Sequence, residues 1–144
     1  MVMHVDGGCR RNGYSNAIGA AACIVIGKYG NRQRWQRQIP SRQNPTSQRA
    51  ELTALIIALE KAIERYEGSN TGPYMDVTIY TDSKYAHGCI TEWVYKWVRN
   101  GWRNAKGYEV ANQDLIQEAS DLDDRLKEVG DVTYIVSILS ELFY

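Results

Sequence analysis

No stretch of the sequence stays apolar over the ~18–20 residues a membrane-spanning helix requires, and Met1–Gly8 does not read as a signal peptide. Cysteine is scarce and unpaired. Cys9, Cys23 and Cys89 are odd in number and lack paired spacing, which argues against a disulfide framework or a zinc site and fits a reducing compartment. Internal repeats, low-complexity tracts and linkers are also missing, so residues 1–144 are expected to form one domain around one hydrophobic core. These absences point to an intracellular protein with no membrane partner. What is present, 44% hydrophobic and 24% charged residues, is ordinary for a globular chain.

Net charge is absent too, but the zero hides segregation. Residues 27–49 carry Lys28, Arg32, Arg34, Arg37, Arg42 and Arg49 and no acid. Residues 84–108 carry Lys84, Lys96, Arg99, Arg103 and Lys106 against Glu92 alone, and residues 109–131 reverse the sign with eight acids. Two basic stretches in a neutral chain can form a track for a polyanion, or they can be solvated faces that balance by chance.

The chemistry-bearing residues have to be placed on elements. Met1–Val5 is an apolar strand ending at Asp6, followed by a Gly-rich turn over Gly7–Gly13. Ile18–Lys28 and Arg32–Ile39 pair as a hairpin across the turn Tyr29-Gly30-Asn31, and Pro40–Pro45 is a polar loop. Ser47 opens a long helix to about Glu67, with Leu52, Leu55, Ile56, Leu59 and Ile63 at helical spacing. Val77–Thr81 is a buried strand stopping at Asp82. A short helix starts at Ser83 and a second spans Thr91–Arg99, ended by Gly101. Asn112 is placed to cap an amphipathic helix bearing Leu115, Ala119, Leu122 and Leu126, and Val132–Val136 is the last strand. This order predicts an α/β domain with a five-stranded mixed sheet flanked by helices.

Three acids stand out by position. Asp6 ends the first strand, Glu51 lies in the first turn of the long helix and Asp82 ends the fourth strand. If the first and fourth strands are neighbours, Asp6 and Asp82 meet at one sheet edge and the helix can lower Glu51 towards them. Such carboxylates repel unless a cation neutralises them, and oxygen ligands without His or Cys favour Mg²⁺ or Mn²⁺. Singly, each has a structural explanation: a turn residue, a helix-dipole partner and an N-cap.

The surrounding residues carry a resemblance. Asp6-Gly7-Gly8-Cys9, Thr46-Ser47-Gln48-Arg49-Ala50-Glu51-Leu52 and Tyr80-Thr81-Asp82-Ser83-Lys84-Tyr85 are similar to three motifs of the type 1 ribonucleases H. Ile90–Trp97 with Asn100-Gly101-Trp102 resembles the tryptophan-bearing basic protrusion of the cellular enzymes, and Glu109-Val110-Ala111-Asn112 continues the pattern. The resemblance covers about residues 1–136, with five motifs in order.

The resemblance implies the ribonuclease H-like fold and an endonuclease that cuts the RNA strand of RNA–DNA hybrids, leaving 3′-hydroxyl and 5′-phosphate ends. Asp6, Glu51 and Asp82 would hold two Mg²⁺ or Mn²⁺ ions in the substrate complex. Gly7, Gly8, Asn12, Ser47 and Gln48 would line the minor groove, where 2′-hydroxyls mark RNA. Trp93 and Trp97, with Lys96 and Arg99 beside them, would form a channel for the DNA strand. Thr46 and Asn112 would make a DNA-phosphate pocket, whose usual arginine is replaced here by Asn44, so that either the pocket is weaker or Arg42 reaches in instead.

The C-terminal end departs from the family. A Gly-His loop and a helix with a fourth carboxylate are expected after the last strand, but no histidine follows His87 and the late side-chain acid is Glu141. The usual C-terminal helix is therefore expected to be missing. A truncated gene product, a natural short form and a domain that binds hybrids without cutting them all fit this ending. The apolar tail of Ile138, Leu139, Leu142, Phe143 and Tyr144 adds an expectation of self-association.

Overall fold

The computed structural model describes residues 1–69, 72 and 74–138. Five strands form one mixed sheet in the order β3-β2-β1-β4-β5. They are β1 (Val2–Arg10), β2 (Ile18–Ile26), β3 (Arg32–Ile39), β4 (Met75–Thr81) and β5 (Gly130–Val136). β1, β2 and β3 pair antiparallel, while β4 runs parallel to both β1 and β5. The first and fourth strands are neighbours, as the placement of the acids required.

Helix α1 (Ser47–Glu67) packs across β1 and β2. Eleven of its residues are buried, so it has no broad polar face. Met3, Val5, Cys23, Val25, Val77 and Ile79 meet Leu55, Ile56 and Leu59 in one core. Each Leu or Ile buried there stabilises the fold by about 1.5–3 kcal/mol relative to exposure. Helix α4 (Gln113–Lys127) closes the layer beside α1, burying Ile116, Ala119 and Leu126. A second cluster of Leu52, Ala86, Cys89, Val94, Val110 and Ile116 joins the start of α1 to the helical protrusion.

Several sequence expectations are corrected. β1 does not stop at Asp6; it continues through both glycines to Arg10, because Asp6–Arg10 pair with Ile18–Ala22 of β2. The two helices expected from Ser83 and Thr91 form one continuous run. In it α2 (Lys84–Gly88) passes through a π turn at Cys89–Trp93 into α3 (Val94–Asn100). Gly101 ends that run in the left-handed conformation, as expected. Asn112 precedes α4 but makes no side-chain cap; its backbone is left-handed and its side chain is engaged elsewhere. No helix among the described residues is long and apolar enough to cross a membrane. Glu141 and the apolar tail beyond Ile138 lie outside the described residues, as does any helix after β5.

Candidate active site

Register brings the acids together. Val5 of β1 pairs with Thr81 of β4, so Asp6, the next residue of β1, lies beside Asp82, the first residue past β4. Glu51 reaches them because α1 crosses β1 at close range. A Cβ on Gly7 would lie 2.3 Å from the Ala50 carbonyl, a separation that only glycine allows. The hydroxyl of Ser83, which caps α2 by accepting from the Ala86 N–H at 3.0 Å, donates to Glu51 Oε2 at 2.7 Å. One serine thus ties the end of β4 to the first turns of α1 and α2.

Electrostatics record the clustering. Partial burial pushes the Asp6 carboxyl above its usual range and the Asp82 charge pushes it further, while the Gly7 N–H and Arg34 pull it back. Glu51 is also raised, first by burial and then by Asp82 and Asp6, against the opposing Ser83 hydrogen bond. Asp82 itself is exposed. Among the described residues, however, no group of three or more His, Cys, Asp or Glu side chains is gathered closely enough to hold a metal ion. The carboxylates sense one another without enclosing a site. The donor chemistry, hard oxygens that mutually disfavour ionisation, nevertheless fits a divalent cation that would draw them in.

The remaining expected residues fall into three groups. Gly7 and Gly8 lie on β1, Ser47 and Gln48 in the first turn of α1, and Asn12 is exposed in the turn after β1. Thr46 caps α1, accepting from the Arg49 N–H at 3.1 Å. Asn112 joins this end of α1: it donates to the Tyr85 hydroxyl at 2.9 Å and to Gln48 Oε1 at 3.4 Å. Burial pushes the Tyr85 phenol up to about 12, so it stays neutral near pH 7.

The cation at this pocket is Arg49. It donates to Asn112 Oδ1 at 3.3 Å and grips Asp114 with two bonds of 2.9 and 2.7 Å. Arg42 is exposed and has no ion pair among the described residues. The signal for Arg49 lay in its place within the Thr46–Leu52 segment, one turn after Thr46. Ser83 and Tyr85 were likewise visible only as motif letters.

The third group is the aromatic protrusion. Trp93 is 38% exposed and Trp97 half-buried. Ring centres step from Tyr85 to Trp93 (6.4 Å), Trp97 (6.1 Å) and Trp102 (6.2 Å). Trp93 lies over Gly88, where a Cβ would meet its ring at 2.6 Å. Lys96 and Arg99 project from α3 into solvent.

The RNase H family model matches residues 1–133. The chain belongs to the RNase H family. A ribonuclease H of Treponema denticola is 30% identical over 87% of this chain and 79% of its own length. A ribonuclease H of Schizosaccharomyces pombe is 37% identical over 84% of this chain, and the match spans only 40% of that longer protein. The solution structure of the PFV RNase H domain has a TM-score of 0.70 at 19% identity, covering 96% of this chain and 78% of that one. This last likeness speaks to the fold alone. The RNase H-fold sheet order explains why Asp6 and Asp82 share an edge.

Proposed function

We propose that this chain is a hybrid-specific endoribonuclease that hydrolyses the RNA strand of RNA–DNA hybrids. The observation that carries the proposal is the placement of Asp6, midway along β1, and Glu51 beside Asp82 at the end of β4, where Asp6 feels the Asp82 charge and Glu51 feels both Asp82 and Asp6. Relatives named ribonuclease H support the reading. Asp6, Glu51 and Asp82 would hold Mg²⁺ or Mn²⁺, two ions in the substrate complex, which supply water activation and leaving-group stabilisation and give 3′-hydroxyl and 5′-phosphate ends. Ser83 orients the Glu51 carboxylate towards its neighbours. Gly7, Gly8, Asn12, Ser47 and Gln48 would face the minor groove and its 2′-hydroxyls. Thr46, Arg49 and Asn112 would take a DNA phosphate, and Trp93, Trp97, Lys96 and Arg99 the DNA strand beyond it.

One observation favours a second reading, a module that binds hybrids with little or no cutting: the described carboxylates do not by themselves form a closed ligand set. Cleavage of an RNA–DNA hybrid across Mg²⁺ and Mn²⁺ concentrations, with Asp82→Asn as control, separates the two. Cleavage that the substitution abolishes, a loss of roughly 10³-fold or more, supports the nuclease. Intact RNA at high Mn²⁺, with hybrid still bound by folded protein, supports the binding module.

A further inference from the structure

The sheet face turned away from α1 carries an open groove of about 760 Å³ that begins at Asp6 and runs across β1, β2 and β3. Strand register builds it in rows. Asp6 pairs with Ala22 and Ala22 with Gln36; Gly8 pairs with Ala20 and Ala20 with Gln38. The floor is therefore Gly8, Ala20 and Ala22, nearly free of side chain, and one wall is Arg34, Gln36 and Gln38 of β3. Arg10 stands at the far end of β1.

The charge on this surface is one-sided. Among the described residues Asp6 is the sole acid lining the groove, and Arg10 and Arg34 are its cations, since Arg37, which also lines it, is bonded to Glu60. Arg34 is close enough to act on the Asp6 carboxyl, so the cationic wall starts at the candidate active site. A floor of small residues lets a backbone lie flat, cations meet its phosphates, and the two glutamines offer both donors and acceptors. Among the described residues none lining the groove is aromatic, so these residues capture a strand by its backbone rather than by base stacking. Three strands about 4.8 Å apart give a width of roughly 10 Å, which suits one strand rather than a duplex.

We propose that this groove holds an unpaired RNA segment continuing from the hybrid beside Asp6, gripped by its phosphates and sugars and without sequence preference. This rests on the hybrid-nuclease reading of the site and adds a subsite to it. The test measures affinity in EDTA, which prevents turnover, for a blunt hybrid and for the same hybrid with unpaired ribonucleotides added at one RNA end or the other. A short unpaired oligoribonucleotide is measured alone as well.

One of the two extensions should tighten binding by about tenfold, the worth of one charge-assisted contact. Ala20→Glu, at an exposed floor position beside Gly8, should erase the difference in affinity between extended and blunt hybrids; Ala20→Ser should keep it. The free oligoribonucleotide should bind the native chain and lose affinity with Ala20→Glu. The groove assignment is overturned if neither extension tightens binding, or if Ala20→Glu retains the gain. Failure of the blunt hybrid to bind or be cut would instead count against the nuclease reading. The free oligoribonucleotide still decides the groove in that case.

Discussion

Asp6 and Glu51 are held in a place that disfavours their own ionisation, and the cost is measurable without any substrate. Both carboxyls titrate above their ordinary values, so the folded chain retains protons that the unfolded chain has already released. Stability from this source is fullest below the unfolded values near ~4 and is lost as pH rises through the folded ones. Asp6→Asn removes one repelling charge and keeps an acceptor oxygen for the Gly7 N–H. In EDTA at neutral pH it should raise Tm on the order of 1–3 °C, a modest figure because both groups are partly solvated. The advantage should fade as pH is lowered towards 4. Thermal melts across pH test this, and a variant that melts lower at pH 7 would refute the electrostatic account. Gly7 makes the opposite point. Gly7→Ala puts a methyl group into the Ala50 carbonyl and must displace the turn carrying Glu51. A loss of about 1–3 kcal/mol by urea unfolding is expected, together with weaker cleavage; unchanged stability would mean that the helix yields freely.

Elements were legible to unequal degrees. β3 and α1 lie where hydrophobic pattern and turn residues put them, because each signal is local. The far half of β1 was hidden: Gly7-Gly8 has the composition of a turn, and only pairing with β2 keeps it extended. The π turn had no local mark either; at its end Trp93 lies over Gly88. Of the three acids, Asp82 just past β4 and Glu51 early in α1 lie where local signals put them, whereas Asp6 is midway along β1 and not at its end. Arg49 could not be assigned a role, since its partners Asn112 and Asp114 are more than sixty positions away. That clamp joins α1 to α4 and has its own pH signature. Arg49 holds the Asp114 carboxyl below its usual range by hydrogen bonding, so its contribution is present above the unfolded value near ~4 and is lost as pH falls through the folded one. Asp114 is 65% exposed, which limits the pair to about 1 kcal/mol or less. The stability difference between native chain and Asp114→Asn should be flat from pH 8 to 5 and close below about 4. A difference that persists at pH 2 would assign the loss to packing.

Over the whole molecule, the two basic stretches have different fates. In the first, Arg37 is answered by Glu60 and Arg49 by Asp114. In the second, Lys96, Arg99 and Arg103 form no ion pair among the described residues and flank the tryptophan ladder. A neutral chain can thus present a local cationic surface to a polyanion, because balancing acids sit elsewhere, as on α4, where Asp114 and Asp123 pair with Arg49 and Lys127. If a hybrid docks along the protrusion, each phosphate neutralised releases counterions and steepens the dependence of affinity on salt. Lys96→Ala with Arg99→Ala should reduce the slope of log K against log salt by about 2, roughly one for each phosphate contact. Arg125→Ala, whose charge is already met by Glu67, should leave the slope unchanged. Binding isotherms in EDTA at several salt concentrations measure both. Equal slopes for the native chain and the double variant would place the hybrid elsewhere, and the aromatic ladder would then be packing for the second core cluster.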